Sequence, residues 1–195
     1  EDTLIGFDKE SEGLVEKPIN GYLTKSVSNV IEMLKSAKRP VIIAGHGIRL
    51  AHAQKEFVNL MENLQIPVLT SFLAHDLVVS DNPLFVGRHG GFGDRAGNFA
   101  VQNSDLVITI GARNHLFNIG YQYELFARDA KKVVVDIDAT ELGKKTLKPD
   151  LPILSDAKDF IEEFSNQLKE LNLPDISEWK KRCADWKQKY PILTE

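Results

Sequence analysis

The chain has 195 residues, 43% of them apolar and 27% charged, with a formal net charge of -4 at pH 7. That length buries a full core, as one large domain or as one domain with appended arms, and so mild a negative charge gives no reason to expect nucleic acid as a partner. No apolar run approaches the length of a membrane span, and the single cysteine, Cys183, excludes an internal disulfide and a cysteine-based zinc site.

The opening stretch, EDTLIGFDKESEG, is acidic where a secretory leader would be basic and then apolar, which predicts a cytoplasmic location. It lacks an initiator Met and reads like the middle of a longer polypeptide, so an excised domain is expected. Residues 1–20 carry six carboxylates, two glycines and Pro18 with little periodicity, the pattern of a linker or extended arm. From Thr24 a helix is predicted, capped by Thr24 or Ser26, with Val27, Val30, Ile31 and Leu34 on one stripe. The run Val41 to Ala44 within RPVIIAGHG is too unbroken for a half-exposed strand and reads as a strand buried on both faces. Gly45-His46-Gly47 follows, serving as a tight turn or as a phosphate cradle, and then a helix from Ala51 to Leu64 with Phe57, Leu60, Met61 and Leu64 inward.

A second buried strand is predicted over residues 66–70, with a polar exit that begins at Ser71. Residues 80–94 hold four glycines in fifteen positions and are predicted to form an irregular functional loop. Asp94 is expected to cap a helix that turns Ala96, Phe99, Ala100 and Val101 inward and ends at Ser104. The strand DLVITIG (105–111) repeats the pattern of the first, with a polar tip at Arg113-Asn114-His115. An amphipathic helix is predicted over Tyr121 to Ala130, a strand over KVVVDID (132–138) and a last short strand from Leu151 to Leu154. Asp156 caps a helix with Ala157, Phe160, Ile161, Phe164 and Leu168 on one face. After a linker, residues 177–190 form a charged helix whose Trp179, Cys183, Trp186 and Tyr190 share a stripe that needs a docking surface, Cys183 packing there as a small apolar residue. Strands alternating with helices predict an α/β, Rossmann-like doubly wound parallel sheet of about six strands.

In open parallel sheets ligands bind beyond the carboxyl ends of the strands. The residues to weigh are therefore Gly45, His46 and Gly47; Thr70 and Ser71; Gly87, Arg88, His89 and Gly90; Gly111 and Arg113; and the acidic strand end at Asp136 and Asp138. One of these two aspartates suits a ribose hydroxyl, or else caps the segment Ala139 to Lys144, and both readings stay open. Arg88 and Arg113 are two-pronged phosphate donors or ordinary surface charge. The histidines show no metal-ligand spacing, so His46 and His89 read as hydrogen-bonding loop residues. No G-x-S-x-G, Walker lysine loop or Cys-His pair is present, and neither a catalytic nor a metal-binding residue is predicted.

With those tips in place, the chain resembles the central domain of thiamine-diphosphate-dependent enzymes of the acetolactate synthase and pyruvate oxidase group. The resemblance rests on RPVIIAGHG (39–47), IPVLTSFLAHD (66–76), GRHGGFGDRAGNFAVQNSDLVITIGAR (87–113), KVVVDID (132–138), SDAKDFIEEF (155–164) and WKKRCADWKQKYP (179–191). Its most specific part is NFAVQNSDLVITIGAR. It implies residues 1–20 as an arm, 21–171 as a Rossmann-like central domain, and 172–195 as a helix and linker toward a thiamine-diphosphate-binding domain. It also implies FAD or an ADP-like group lying against Gly45, His46, Gly47, Thr70, Ser71, Gly87, Arg88, His89, Gly90, Gly111 and Arg113, with its adenosine end at Asp136 and Asp156. Thiamine diphosphate and Mg2+ would be held by flanking pyrimidine-binding and diphosphate-binding domains of a homo-oligomeric parent, with Trp179 and Trp186 packing on those domains. The parent would decarboxylate a 2-oxo acid such as pyruvate and pass the two-carbon unit to an acceptor, this chain alone being inert. Flavin-binding relatives carry G-A-R-F-D-D-R where this chain has Gly111 to Phe117, so a second arginine and two aspartates are missing, and Ser155-Asp156 stands for their Gly-Asp pair. These departures predict weak FAD binding. The competing readings are a free-standing dinucleotide-binding (NAD or FAD) protein and a structural spacer with an empty cleft.

Overall fold

The computed structural model describes residues 21–168 and 173–191, so the expected arm at 1–20 and part of the expected linker lie outside the described residues. In chain order the elements are α1 (Tyr22–Ser36), β1 (Pro40–Ala44), α2 (Gly47–Leu50), α3 (Gln54–Leu64), β2 (Val68–Thr70) and β3 (Phe85–Arg88). They continue with α4 (Arg95–Asn103), β4 (Leu106–Ile110), α5 (Leu116–Ile119), β5 (Lys131–Asp136), α6 (Ala139–Gly143), β6 (Leu151–Leu154), α7 (Ala157–Leu168) and α8 (Ser177–Lys189). Six parallel strands form one sheet in the order β3-β2-β1-β4-β5-β6, so the α/β doubly wound fold expected from the sequence is the fold observed.

Alternation along β1 explains the layering. Ile42 and Ala44 join the core under α1, α3 and α7, whereas Val41 and Ile43 join the core under α4 and α8. Because both faces are covered, β1 and β4 are buried along their whole length, which is why they read as unbroken apolar runs. Phe57, Phe160 and Phe164 are fully buried on the first face. On the second, the stripe of α8 finds its surface on this same domain: Trp179 is 4% exposed and its Nε1 donates to the Pro40 carbonyl at 3.0 Å. Trp179 thus packs on the sheet domain and not on a neighbouring one. Cys183 packs beside it, where burial pushes its thiol up to about 12 and leaves it inert as a nucleophile.

Five local expectations are corrected. The helix α1 starts at Tyr22 after Gly21, so Thr24 and Ser26 lie inside it and cap nothing. Residues 80–94 are not wholly irregular, since Phe85–Arg88 pairs with β2 as the edge strand. Its glycine misled: Gly87 sits at φ +139, a side chain there would also strike the Asp94 carboxylate, and the pairing with β2 shifts register between Val68 and Leu69. Asp94 occupies the N-cap position of α4 but turns its carboxylate onto Arg88. Phe99 faces the rings of Trp186 on α8 and of Tyr190 just past its end, 37% exposed, and not the sheet. Finally, Tyr121 to Ala130 is no helix. Phe126, Ala127 and Ala130 are buried while Tyr121 and Leu125 face out, and Ala127 at φ 45 breaks any helical run, leaving only a 3-10 turn at Tyr123–Leu125.

Candidate ligand cleft at the strand ends

In this sheet the chain order reverses between β1 and β4, and the ligand position of such folds is the crevice where those two strand ends part. Here the two ends hold each other. Gly45 N–H donates to Ile110 O and Gly47 N–H to Gly111 O, both at 2.9 Å. A Cβ at Gly45 would collide with the Gly111 carbonyl, and one at Gly47 would fall 2.8 Å from Gly111 Cα. Close approach of the backbones therefore requires these glycines. Their amides donate to backbone carbonyls within the fold, the arrangement of the tight-turn reading of Gly45 and Gly47.

Beyond this junction opens a cleft of about 1060 Å³. From β1 it is lined by His46 and Gly47, from β2 by Ser71, from β3 by Arg88 and His89, from β4 by Gly111 and Arg113, and from β5 and β6 by Asp136 and Asp156. The structure thus brings together residues from all six strand ends. Gly45, Thr70, Gly87 and Gly90 stand behind the lining: Thr70 is fully buried and Gly90 N–H donates to Asn98 Oδ1 at 2.8 Å. His46 Nδ1 lies 3.0 Å from Leu73 O, and Arg49 reaches Asp76 at 2.6 Å, so the loop after β2 is braced against the turn after β1.

Neither arginine is free. Arg88 pairs with Asp94 at 3.0 Å, and Arg113 places Nε and a terminal nitrogen on Glu141 Oε1 at 2.9 and 2.7 Å. Lys144 donates to Glu141 as well and to the Arg113 and Asn114 carbonyls. The question left open at the β5 end resolves by position: Asp138 accepts from Thr140 N–H and caps α6, while Asp136 is 8% exposed at the cleft wall. Burial raises the Asp136 carboxyl above the ordinary range, with the Glu141 and Asp138 carboxylates adding to the effect. Asp156 caps α7 through Lys158 N–H at 2.7 Å, as expected, and its side of the cleft is open.

His89, like Thr70 and Asn114 at the neighbouring strand ends, has buried side-chain polar atoms without a hydrogen-bond partner among the described residues. His89 is 3% exposed, the Thr70 carbonyl lies near its ring but outside ordinary hydrogen-bond geometry, and burial pushes the imidazole down to about 4 against that carbonyl's smaller opposing pull. At neutral pH it is therefore uncharged, with both ring nitrogens buried behind the cleft wall. Sequence reasoning missed the aromatic part of the lining. Phe72, Phe92 and Phe117, from the loops after β2, β3 and β4, form a cluster with ring centroids 6.1 and 5.6 Å apart, each ring more than half exposed. A signal was available for two of them, because Phe72 and Phe117 follow predicted strand ends, while Phe92 lies in the glycine-rich stretch 80–94 that was expected to be a functional loop, and a solvated loop has no use for an exposed phenylalanine.

Comparison with known proteins places this geometry. Residues 27–164 match the family model described as the thiamine pyrophosphate enzyme, central domain. The chain is 34% identical over 174 residues to the "Probable acetolactate synthase large subunit" of Methanocaldococcus jannaschii, covering 86% of this chain and 29% of that one. It is 33% identical over 180 residues to the acetolactate synthase large subunit of Cyanidium caldarium, covering 90% and 30%. With 2-hydroxyacyl-CoA lyase 1 of Dictyostelium discoideum it shares 32% over 144 residues, covering 72% and 23%. The chain thus spans less than a third of the length of these relatives, and none of them supports a free-standing dinucleotide-binding protein. With the family match covering the whole sheet from α1 to α7, the chain belongs to the central domains of thiamine pyrophosphate enzymes.

Proposed function

We propose that this chain serves as the central domain of an acetolactate-synthase-like enzyme that decarboxylates a 2-oxo acid such as pyruvate and transfers the two-carbon unit to an acceptor. The observation that carries the reading is the similarity to two acetolactate synthase large subunits along 86% and 90% of this chain, at one third identity. Thiamine diphosphate, when bound, supplies the carbanion stabilisation in such a reaction. The residues here do not fit that cofactor or its Mg2+. Among the described residues no three His, Cys, Asp or Glu side chains converge as a metal site, and the turn amides at Gly45 and Gly47 are committed to backbone carbonyls. Flanking pyrimidine-binding and diphosphate-binding domains of the same polypeptide hold both, in a homo-oligomeric and cytoplasmic parent that engages neither nucleic acid nor membrane. Among the described residues no helix is long and apolar enough to cross a membrane.

The domain's own contribution is to hold a rigid sheet and a shaped cleft between its neighbours. FAD fits that cleft poorly, since Arg88 and Arg113 already serve Asp94 and Glu141 and Phe117 stands where the flavin-binding pattern has an arginine. The parent is therefore expected to work without tightly held FAD. The test compares the full-length enzyme with this chain, each given pyruvate, thiamine diphosphate and Mg2+, following pyruvate loss. Turnover by the full-length protein and none by this chain above a no-protein blank is expected. Turnover by this chain alone, or none by the full-length protein with any short 2-oxo acid, would overturn the assignment.

A further inference from the structure

We propose that the sheet is closed at both of its open edges against strand addition by a second copy of this chain, with Tyr22 sealing the β6 edge and Lys187 the β3 edge. A parallel strand turns alternate backbone groups toward each of its two neighbours, so an edge strand leaves one set without a strand partner. The strands in that position here are β3 and β6. Any group left open there is a template on which another chain can pair.

Along β6 the inward set is fixed by Ser155, whose N–H donates to Asp136 O at 3.0 Å, so Pro152 and Leu154 turn their polar groups outward. Pro152 is the exposed residue of the strand and has no N–H to offer. A donor and an acceptor of what remains meet one side chain. The Tyr22 hydroxyl, from the first residue of α1, accepts from Leu154 N–H at 3.3 Å and donates to Pro152 O at 3.4 Å. One phenol, far away in the chain, thus occupies two groups that an incoming strand needs.

The β3 edge is closed more heavily. Val68 N–H donates to Leu84 O, so the groups of Phe85 face away from β2. Its N–H goes to Asn82 O at 3.0 Å in the preceding turn, and its carbonyl accepts from Lys187 Nζ at 2.8 Å. Lys187 also donates to Ser80 O at 2.6 Å, which ties α8 across the loop leading into the strand. At the far end of β3 Asp94 takes both groups of Arg88, its carboxylate accepting from the N–H at 2.8 Å and its own N–H donating to the carbonyl at 2.9 Å. Neither Tyr22 nor Lys187 lines the strand-end cleft, so the seals act apart from anything bound there.

The test uses Tyr22→Phe, Lys187→Met and the two combined, with Tyr121→Phe, at an 83% exposed tyrosine outside both edge strands, as the control. Sedimentation and amide hydrogen exchange are read on this chain from dilute to concentrated solution. In dilute Tyr22→Phe the Leu154 amide should exchange about two- to tenfold faster than in the wild type, the effect of losing one weak hydrogen bond. On concentration this variant should associate at least about tenfold more tightly than the wild type, and the Leu154 amide should regain protection. Two β6 edges related by a two-fold axis pair antiparallel and stop at a dimer. The β3 edge of one copy on the β6 edge of the next leaves free edges, so the double variant should form longer assemblies. Protection along α1 and β5 should stay as in the wild type, which separates edge pairing from unfolding, and the control should behave as the wild type does. The proposal is overturned if no variant associates beyond the wild type, if association leaves the Leu154 amide unprotected or comes only with loss of protection in α1, or if the wild type already pairs through this edge. Neither pyruvate nor thiamine diphosphate enters these measurements, so this inference and the proposed function can fail independently.

Discussion

Two aromatic clusters of similar make-up meet opposite fates in this molecule. Trp179, Trp186, Phe99 and Tyr190 lie between α4 and α8 with centroids 5.4 to 5.8 Å apart, and Trp179 is driven into the sheet. Phe72, Phe92 and Phe117 lie tilted against one another at similar distances around the cleft but stay more than half exposed. The difference lies in what carries them. The first set sits on two helices that can close on each other, whereas the second sits on strand-end loops pinned by the sheet, with no element above them among the described residues. One cluster holds the domain together, and the other is presented.

The largest effect should come from breaking the closed cluster. Trp179→Ala removes a side chain that is 4% exposed and leaves the Pro40 carbonyl without its indole donor. Large-to-small truncation of a buried aromatic costs about 3–5 kcal/mol, so urea unfolding should show a loss in that range and α8 should detach first by hydrogen exchange. A loss under about 1 kcal/mol would mean that α8 contributes little to the fold.

How far this contrast could be read from the sequence follows from what each pattern encodes. The strands β1, β4 and β5 announce themselves because residues buried on both faces must all be apolar, and that is a local property. The stripe of α8 announces itself because helical spacing puts Trp179, Cys183 and Trp186 on one side. The edge strand β3 was hidden, since a strand with one neighbour needs no apolar run and Gly87 looks like a loop residue. The strand-end residues were legible as a set, because topology alone sends them to one cleft. Their commitments were not. That Gly45 and Gly47 spend their amides on the end of β4, or that Glu141 occupies Arg113, depends on partners 28 to 65 positions away, and that Asp94 occupies Arg88 depends on which way a side chain turns.

A second prediction sharpens the contrast on the cleft side, where His89 is the buried exception in an open region. The folded chain holds this imidazole neutral down to about pH 4, whereas an unfolded one protonates near 6.5. Below that value the unfolded state takes up a proton the folded state refuses. Stability is thus full above about pH 6.5 and falls as pH drops toward 4, by about 3 kcal/mol over the whole window. Denaturation curves at pH 7 and 4.5 for the wild type and His89→Gln should show most of that difference in the wild type alone. Equal acid losses in both would place the sensitivity elsewhere, with the buried Asp136 working in the opposite sense because its raised carboxyl favours the folded state as pH falls.

The smallest effect should come from the open cluster itself. Phe92 is 67% exposed, and its aromatic neighbours among the described residues are Phe72 and Phe117, at centroid distances of 6.1 and 5.6 Å. A well-formed aromatic pair is worth about 0.5–1.5 kcal/mol beyond its buried area, but solvated rings on loops keep little of that and have scarcely any area to lose. Phe92→Ala should therefore leave the urea midpoint nearly unchanged, within about 0.5 kcal/mol, the range of an ordinary surface substitution. Its consequence should appear instead in solubility and in self-association at high concentration, since removing one of three exposed rings shrinks the apolar patch. A destabilisation near that of Trp179→Ala would show that the phenylalanines are part of the core after all. The two clusters would then differ only in degree, and the cleft would lose its aromatic wall as a site for a ligand.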